Sequence, residues 1–259
     1  MARRKKSPDS KKLAKIVSEA LDKFRKRRLD SFEKLDLKNL LQRKNPYLFR
    51  AIGVDNPRKL ISALLAAYLS SSDEGIFGDA FFETVALRIR GRKKSMTNSV
   101  DFELYGGQAV RAYAVKSGPK AFNAGSRRDQ VSAFDECRQR LPGLAFEPVV
   151  GYGYGRRLSP PTRKKRFREV SGQAFWEEIS DDPDLYRRIF LPLAKKADQH
   201  RDAYREAHKR AIIKFEREFR QEFGTADGQI DWDKILILNS GKLVGKKRCD
   251  TQSKKRKHR

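Results

Sequence analysis

The chain has little of what several common chemistries require. Its two cysteines, Cys137 and Cys249, are too few for a disulfide framework, and Cys249 lies in a polar tail, which points to a reducing compartment. The three histidines, His200, His208 and His258, fall on a charged stretch and in a tail, so with two distant cysteines they give no zinc-ligand spacing. No Ser/His/Asp arrangement stands out. No run approaches the ~18 consecutive apolar residues of a membrane span, and the basic N-terminus lacks the apolar core of a signal peptide. A soluble, cytoplasmic protein without a membrane partner is expected. The glycine-rich GYGYGR (151–156) lacks the GK[ST] ending of a phosphate loop and leads into Arg157 and Pro160-Pro161 instead of a helix. No nucleotide cofactor is therefore expected.

Negative charge is scarce as well. Against 33 Asp+Glu stand 59 Lys+Arg, for a net charge of +26. Residues 1–12 contribute +5 and residues 246–259 contribute +7, so the body alone carries +14. That excess is more than solubility calls for, and it favours a polyanionic partner. The RRKK and KKRKHR ends read as nuclear signals or as non-specific DNA-binding tails, and the sequence does not choose between them.

Residues 1–12 and 246–259 read as basic disordered tails around three segments: helical 13–75, a core over 76–170, and helical 171–245. Leu13, Ile16, Val17, Ala20, Leu21 and Phe24 follow helical spacing. Asn45-Pro46 breaks a second short helix. Asn56-Pro57 starts a third, as cap and first-turn proline, which the run Ser70–Gly75 ends. Gly78 to Arg90 reads as a further helix and Ser99–Lys116 as a hairpin. Residues 127–141 read as a helix, 146–152 as a strand, 155–170 as a basic connection, and about 195–223 as a long charged helix. The expected class is α/β, a small mixed sheet with added helices at both ends.

The stretch GDAFFETVALRIRGRKKSMTNSVDFELYGGQAVRAYAVK (78–116) carries the chemistry. Side chains alternate along a strand, so Asp101 and Glu103 share one face, as do Ala114 and Lys116. The hairpin gathers two carboxylates and an ammonium at a sheet edge, with Asp79 and Glu83 approaching from the helix. Acids that hold a hard cation through oxygen, beside a lysine and within a basic body, point to Mg2+-dependent hydrolysis of DNA phosphodiesters. Asp101 and Lys116 resemble the PD-(D/E)-x-K nuclease fold, with one departure: Ala114 stands where the second acid belongs. Glu103 or Glu83 must replace it.

A longer string extends the resemblance. SSSDEGIFGDAFFE, VDFEL, VKSGPKAFN, VVGYGYGR, GQAFWEEISDDPDLYRRI and IDWDKILILNSG, spread over roughly residues 40–242, resemble in order and spacing PmeII-like type II restriction endonucleases. The resemblance implies double-strand cleavage of a specific duplex site with Mg2+ by a homodimer in a prokaryotic cytoplasm, nucleoid-associated through DNA. It maps Glu83, Asp101, Glu103 and Lys116 onto the catalytic constellation, with Glu83, Asp101 and Glu103 as metal ligands and Gln130 in support.

Tyr154, Arg156 and Arg157 read either as DNA contacts or as a strand end where glycines permit a bend. Arg163, Lys164, Lys165 and Arg166, in RKKRFR, favour phosphate contact over a plain solvated linker. The rival functions are a non-catalytic DNA-binding or chromosome-associated protein and a repair or mobile-element nuclease. The helical segments 13–72 and 173–240 are candidates for a dimer interface, although their apolar stripes serve equally to pack on their own sheet.

Overall fold

The structure, a computed structural model, describes residues 8–162, 166–197 and 201–242. Both basic tails, apart from Pro8–Lys12, and Arg163, Lys164 and Lys165 lie outside these residues. The described chain forms two compact units, one of residues 1–35 and 65–213, the other of residues 36–64 and 214–259.

The first unit is built on a five-stranded sheet. Strands β1 (Phe102–Gly106) and β2 (Ala109–Lys116) make an antiparallel hairpin in which Phe102 faces Tyr113 and Gly106 faces Ala109. Gly107 supplies the left-handed backbone (φ 63°) that a two-residue turn needs. β3 (Ala145–Tyr152) runs parallel to β2, setting Tyr152 beside Lys116. β5 (Arg168–Ser171) is parallel to β3, and the short β4 (Leu158–Ser159) closes the edge antiparallel to β5. The order is β1-β2-β3-β5-β4.

Alternation sends Phe102, Tyr113, Val115, Val149 and Val170 to one face. There they meet the apolar stripe of α1 (Ser10–Glu33) and residues of α5 (Glu83–Arg88), α7 (Gly172–Ser180) and α8 (Leu185–Ala197). Val100, Ala112, Ala114, Val150 and Tyr152 face the other way, onto Ala133, Phe134 and Cys137 of α6 (Ala124–Gln139). The class is α/β, as the sequence leads one to expect.

Several local differences have physical reasons. α1 starts at Ser10, inside the stretch expected to be a tail, because the Asp9 carboxylate accepts the Lys12 N–H at 2.8 Å and caps it. Asn45-Pro46 not only follows α2 (Leu37–Gln42) but opens α3 (Pro46–Ala51), with Asn45 accepting the Tyr47 N–H. α4 begins at Pro57, with Asn56 accepting the Lys59 N–H at 2.9 Å, but it does not stop in the serine run: it continues to Phe77. Serine and one glycine cost a helix only about 1 kcal/mol per glycine, and burial of the phenylalanines that follow outweighs this. Gly78–Phe82 then widens into one π-turn, closed by a bond from the Glu83 N–H to the Gly78 carbonyl, before α5 resumes. The basic connection hides β5, a strand masked by its charged first residues.

The second unit is helical. α2, α3 and α10 (Trp232–Ser240) pack together with Leu37, Leu40, Leu41, Phe49 and Ile235 buried. Its part of α9 (Arg201–Phe223) buries Phe215, Phe219 and Phe223. Lys38 pairs with Glu222 at 2.6 Å. Among the described residues no helix is long and apolar enough to cross a membrane.

The π-turn is fixed by stacking. The Phe81 ring is fully buried, 4.5 Å from Phe77 and 5.4 Å from Phe82 between centroids. Phe81→Ala is expected to cost about 3–5 kcal/mol, read from the urea-unfolding free energy. A loss below about 1 kcal/mol, the cost of a minor repacking, would show that the turn is held by something else.

Candidate active site

The π-turn carries Asp79, and Glu83 opens α5 four positions later, on the helix that leads to the hairpin. The Glu83 carboxylate is 16% exposed and accepts from Lys94 Nζ at 3.1 Å. Lys94, a residue the sequence reading passed over as one of several in RKKS, is the counter-charge of this corner. The hydrogen bond and charge of Glu83 raise its pKa, and Asp101 and Asp79 add smaller pulls.

Asp101 sits one residue before β1. Its N–H donates to the Tyr113 carbonyl at 2.7 Å, and its carboxylate accepts the Val115 N–H at 2.6 Å. The side chain thus ties the entry of β1 to the last turns of β2, one residue short of Lys116. Burial, followed by the neighbouring Glu83 charge, pushes the Asp101 carboxyl up to about 7, against the Val115 N–H, Lys116 and Lys94. Gln130 of α6 is buried and donates to the Ser99 carbonyl at 2.8 Å. It therefore holds the loop before Asp101, at a residue whose φ is 61°.

Asp101 is therefore within electrostatic reach of both Glu83 and Lys116. Glu103 is not added to them. Its carboxylate accepts from the Ser95 hydroxyl at 2.6 Å and the Cys137 thiol at 3.6 Å, toward α6. Being on the same strand face as Asp101 was not enough, because Ser95 of the preceding loop and Cys137 of α6 offer Glu103 donors of their own. Among the described residues no three or more acid, cysteine or histidine side chains gather into a ready-made cage. Two carboxylates still suit Mg2+, which keeps several waters and takes one or two protein carboxylates plus substrate phosphate. Asp101 and Glu83 fit: both are hard oxygen donors, and a cation would relieve the repulsion that raises Asp101.

Lys116 opens into a cleft of about 400 Å³, lined also by Glu74, Asp79, Ser117, Lys120 and Tyr154. Glu74 Oε1 accepts from the Ser117 and Tyr154 hydroxyls, both at 2.8 Å, so it joins α4 to the ends of β2 and β3. Neither Glu74 nor Ser117 was visible as a site residue, since their sequence separation is 43. A Cβ at Gly118 would lie 2.3 Å from the Tyr154 ring, and one at Gly153 would lie 2.5 Å from Phe82. The glycines of this corner thus serve close packing.

The other basic candidates separate. Tyr154 and Arg156 are exposed. Arg157 turns inward to Glu169 at 3.1 Å. Arg166 is exposed and pairs with Asp135 of α6 at 3.0 Å.

The raised Asp101 pKa has a definite sign. The folded chain favours the protonated acid, so this group's stabilisation is complete below the ordinary carboxylate pKa of about 4 and is lost as pH rises through about 7. Asp101→Asn keeps an oxygen for the Val115 N–H and removes the charge. In chelator, its unfolding free energy relative to the parent should be more favourable at pH 8 than at pH 5. An equal difference at both pH values would contradict the assignment.

The model of the type II restriction endonuclease EcoO109I family matches residues 11–201, which contain the whole sheet, the acid pair and Lys116. No curated protein matches the chain. A match over most of the chain, on an α/β chain with a mixed five-stranded sheet, leads to one conclusion: the protein belongs to the EcoO109I family of type II restriction endonucleases.

Proposed function

We propose that this restriction endonuclease cuts both strands of duplex DNA at a specific site with Mg2+, and that Asp101, Glu83 and Lys116 carry the reaction. The observation behind this reading is the Asp101 carboxylate, fixed on the Val115 N–H one residue before Lys116 and within electrostatic reach of both Glu83 and Lys116. Asp101 and Glu83 would hold the ion, with Glu83 taking the part that Ala114 leaves vacant. When bound, the ion stabilises charge on the phosphate and lowers the pKa of the attacking water.

Lys116 directs that water or balances charge on the phosphate. Gln130 keeps the Ser99–Asp101 backbone in place, and Glu103 steadies the same loop through Ser95. Tyr154, Arg156, Arg157 and Arg166 are proposed to meet the DNA backbone. A homodimer supplies one centre per strand, and the exposed Phe190 and Leu191 of α8 offer apolar surface for it. The nearer kinship to PmeII-like enzymes, and a place in the cytoplasm on the nucleoid, belong to the same reading.

The test is digestion of a whole bacterial genome in Mg2+ or chelator, with mapping of fragment ends. Discrete fragments that need the ion are expected, and Lys116→Ala and Asp101→Ala should each lose at least about 100-fold in rate while still binding DNA. Heterogeneous ends would favour a nuclease without site choice. Binding without cleavage on any substrate would overturn the catalytic reading, and so would full activity of Lys116→Ala.

A further inference from the structure

A second carboxylate, outside the acid pair, is entirely buried. Glu169 of β5 is 0% exposed. Its Oε1 accepts from the Tyr152 hydroxyl at 2.7 Å, Arg157 Nη1 at 3.1 Å and Arg127 Nη1 at 3.3 Å, and its Oε2 accepts from the Ser159 hydroxyl at 3.0 Å. Two guanidiniums on one carboxylate leave the cluster positive. As a device for stability alone it is poor, since apolar residues of similar volume often do as well as a buried ion pair.

The arginines are only partly enclosed, with side chains 26% (Arg127) and 37% (Arg157) exposed. A guanidinium carries five N–H donors in a rigid fork suited to phosphate, and a single Nη of each is committed to Glu169 in this pairing.

Their placement is tied to the active site. The Phe122 ring has Lys116 Nζ 5.8 Å from its centroid and Arg127 Cζ 5.2 Å from it, so the two cations are no more than about 11 Å apart. Arg127 also lies over Phe167 at 5.5 Å, which leaves it little rotational freedom. Arg157 lies over Tyr152, the residue whose strand position faces Lys116.

We infer that Arg127 and Arg157, set in place by buried Glu169, form a clamp for the backbone phosphates beside the one that is cut. This rests on the nuclease reading above and adds to it a residue, Arg127, with its anchor. Guanidiniums fixed before DNA arrives lose little rotamer freedom on binding. Because they would touch phosphate and not base edges, they add affinity and register without choosing the sequence.

The experiment uses the full chain carrying Lys116→Ala, so that DNA is bound and not cut, with a fluorescein-labelled duplex in chelator across a KCl series. Arg127→Met and Arg157→Met keep most of the apolar stem and remove the fork. Each should flatten the slope of log Kobs against log[KCl] by about 0.9, and the double variant by about 1.8; Arg127→Lys should restore the slope. A purely structural role would lower the melting temperature and leave the slope unchanged, and an unchanged slope in both single variants overturns the clamp. The nuclease reading fails separately: a parent chain that cuts no DNA, while Arg127→Met still flattens the slope, sinks catalysis and leaves the clamp standing.

Discussion

One short hydrogen bond organises this protein: the Asp101 carboxylate accepting the Val115 N–H at 2.6 Å. It joins the chain before β1 to the end of β2, where Lys116 follows. The acid that makes it is nearly buried and has Glu83 as a neighbour, so the bond is formed at an electrostatic cost. The elements around it bear on that cost. α6 holds the preceding loop through Gln130, Lys94 answers Glu83, and the π-turn delivers Glu83 to this corner while its phenylalanines hold the helix to the core. A site that stores repulsion between two carboxylates has a reason to take up a divalent cation.

The rest of the first unit serves this edge with ordinary means. Alternation along β2 buries Tyr113 and Val115 on one face and Ala112 and Ala114 on the other, so the strand is held from both sides and Lys116 is carried out at its end. Ala114 is fully buried beneath α6. On the proposed reading the second acid is therefore supplied from the neighbouring helix, by Glu83, whose charge reaches Asp101. Basic charge is distributed in the same spirit. Arg127 and Arg157 are pinned by a buried acid, Arg166 is paired on α6, and Arg156 is left exposed.

What could be read in advance followed from local rules. Strand alternation and the Gly106-Gly107 turn located the hairpin, and Asn56-Pro57 located a helix start. The position of Ala114 against Lys116 exposed the missing acid. What escaped depends on distance along the chain. Lys94 looked like any other lysine in a basic run until the fold set it on Glu83. Glu74 and Ser117 meet only through packing of α4 on the sheet. Strand identity showed that Glu103 shares a face with Asp101, yet a carboxylate binds where donors are, and Ser95 and Cys137 provide them. β5 was hidden because its charged residues are held in ion pairs, half-buried Arg168 with Glu147 and Glu178, and buried Glu169 with two arginines. Apolar periodicity is blind to that solution. The π-turn has no sequence signal beyond the phenylalanines that stabilise it.

The claim on which this account turns is that Glu83, and not Glu103, replaces the acid absent at Ala114. It is tested by the Mg2+ dependence of DNA cleavage in Glu83→Gln and Glu103→Gln, each measured beside the parent. Loss of cleavage in Glu83→Gln, not recovered at saturating Mg2+, with cleavage retained in Glu103→Gln, is the predicted result. Retained activity in Glu83→Gln with loss in Glu103→Gln would contradict it and make Glu103 the second acid.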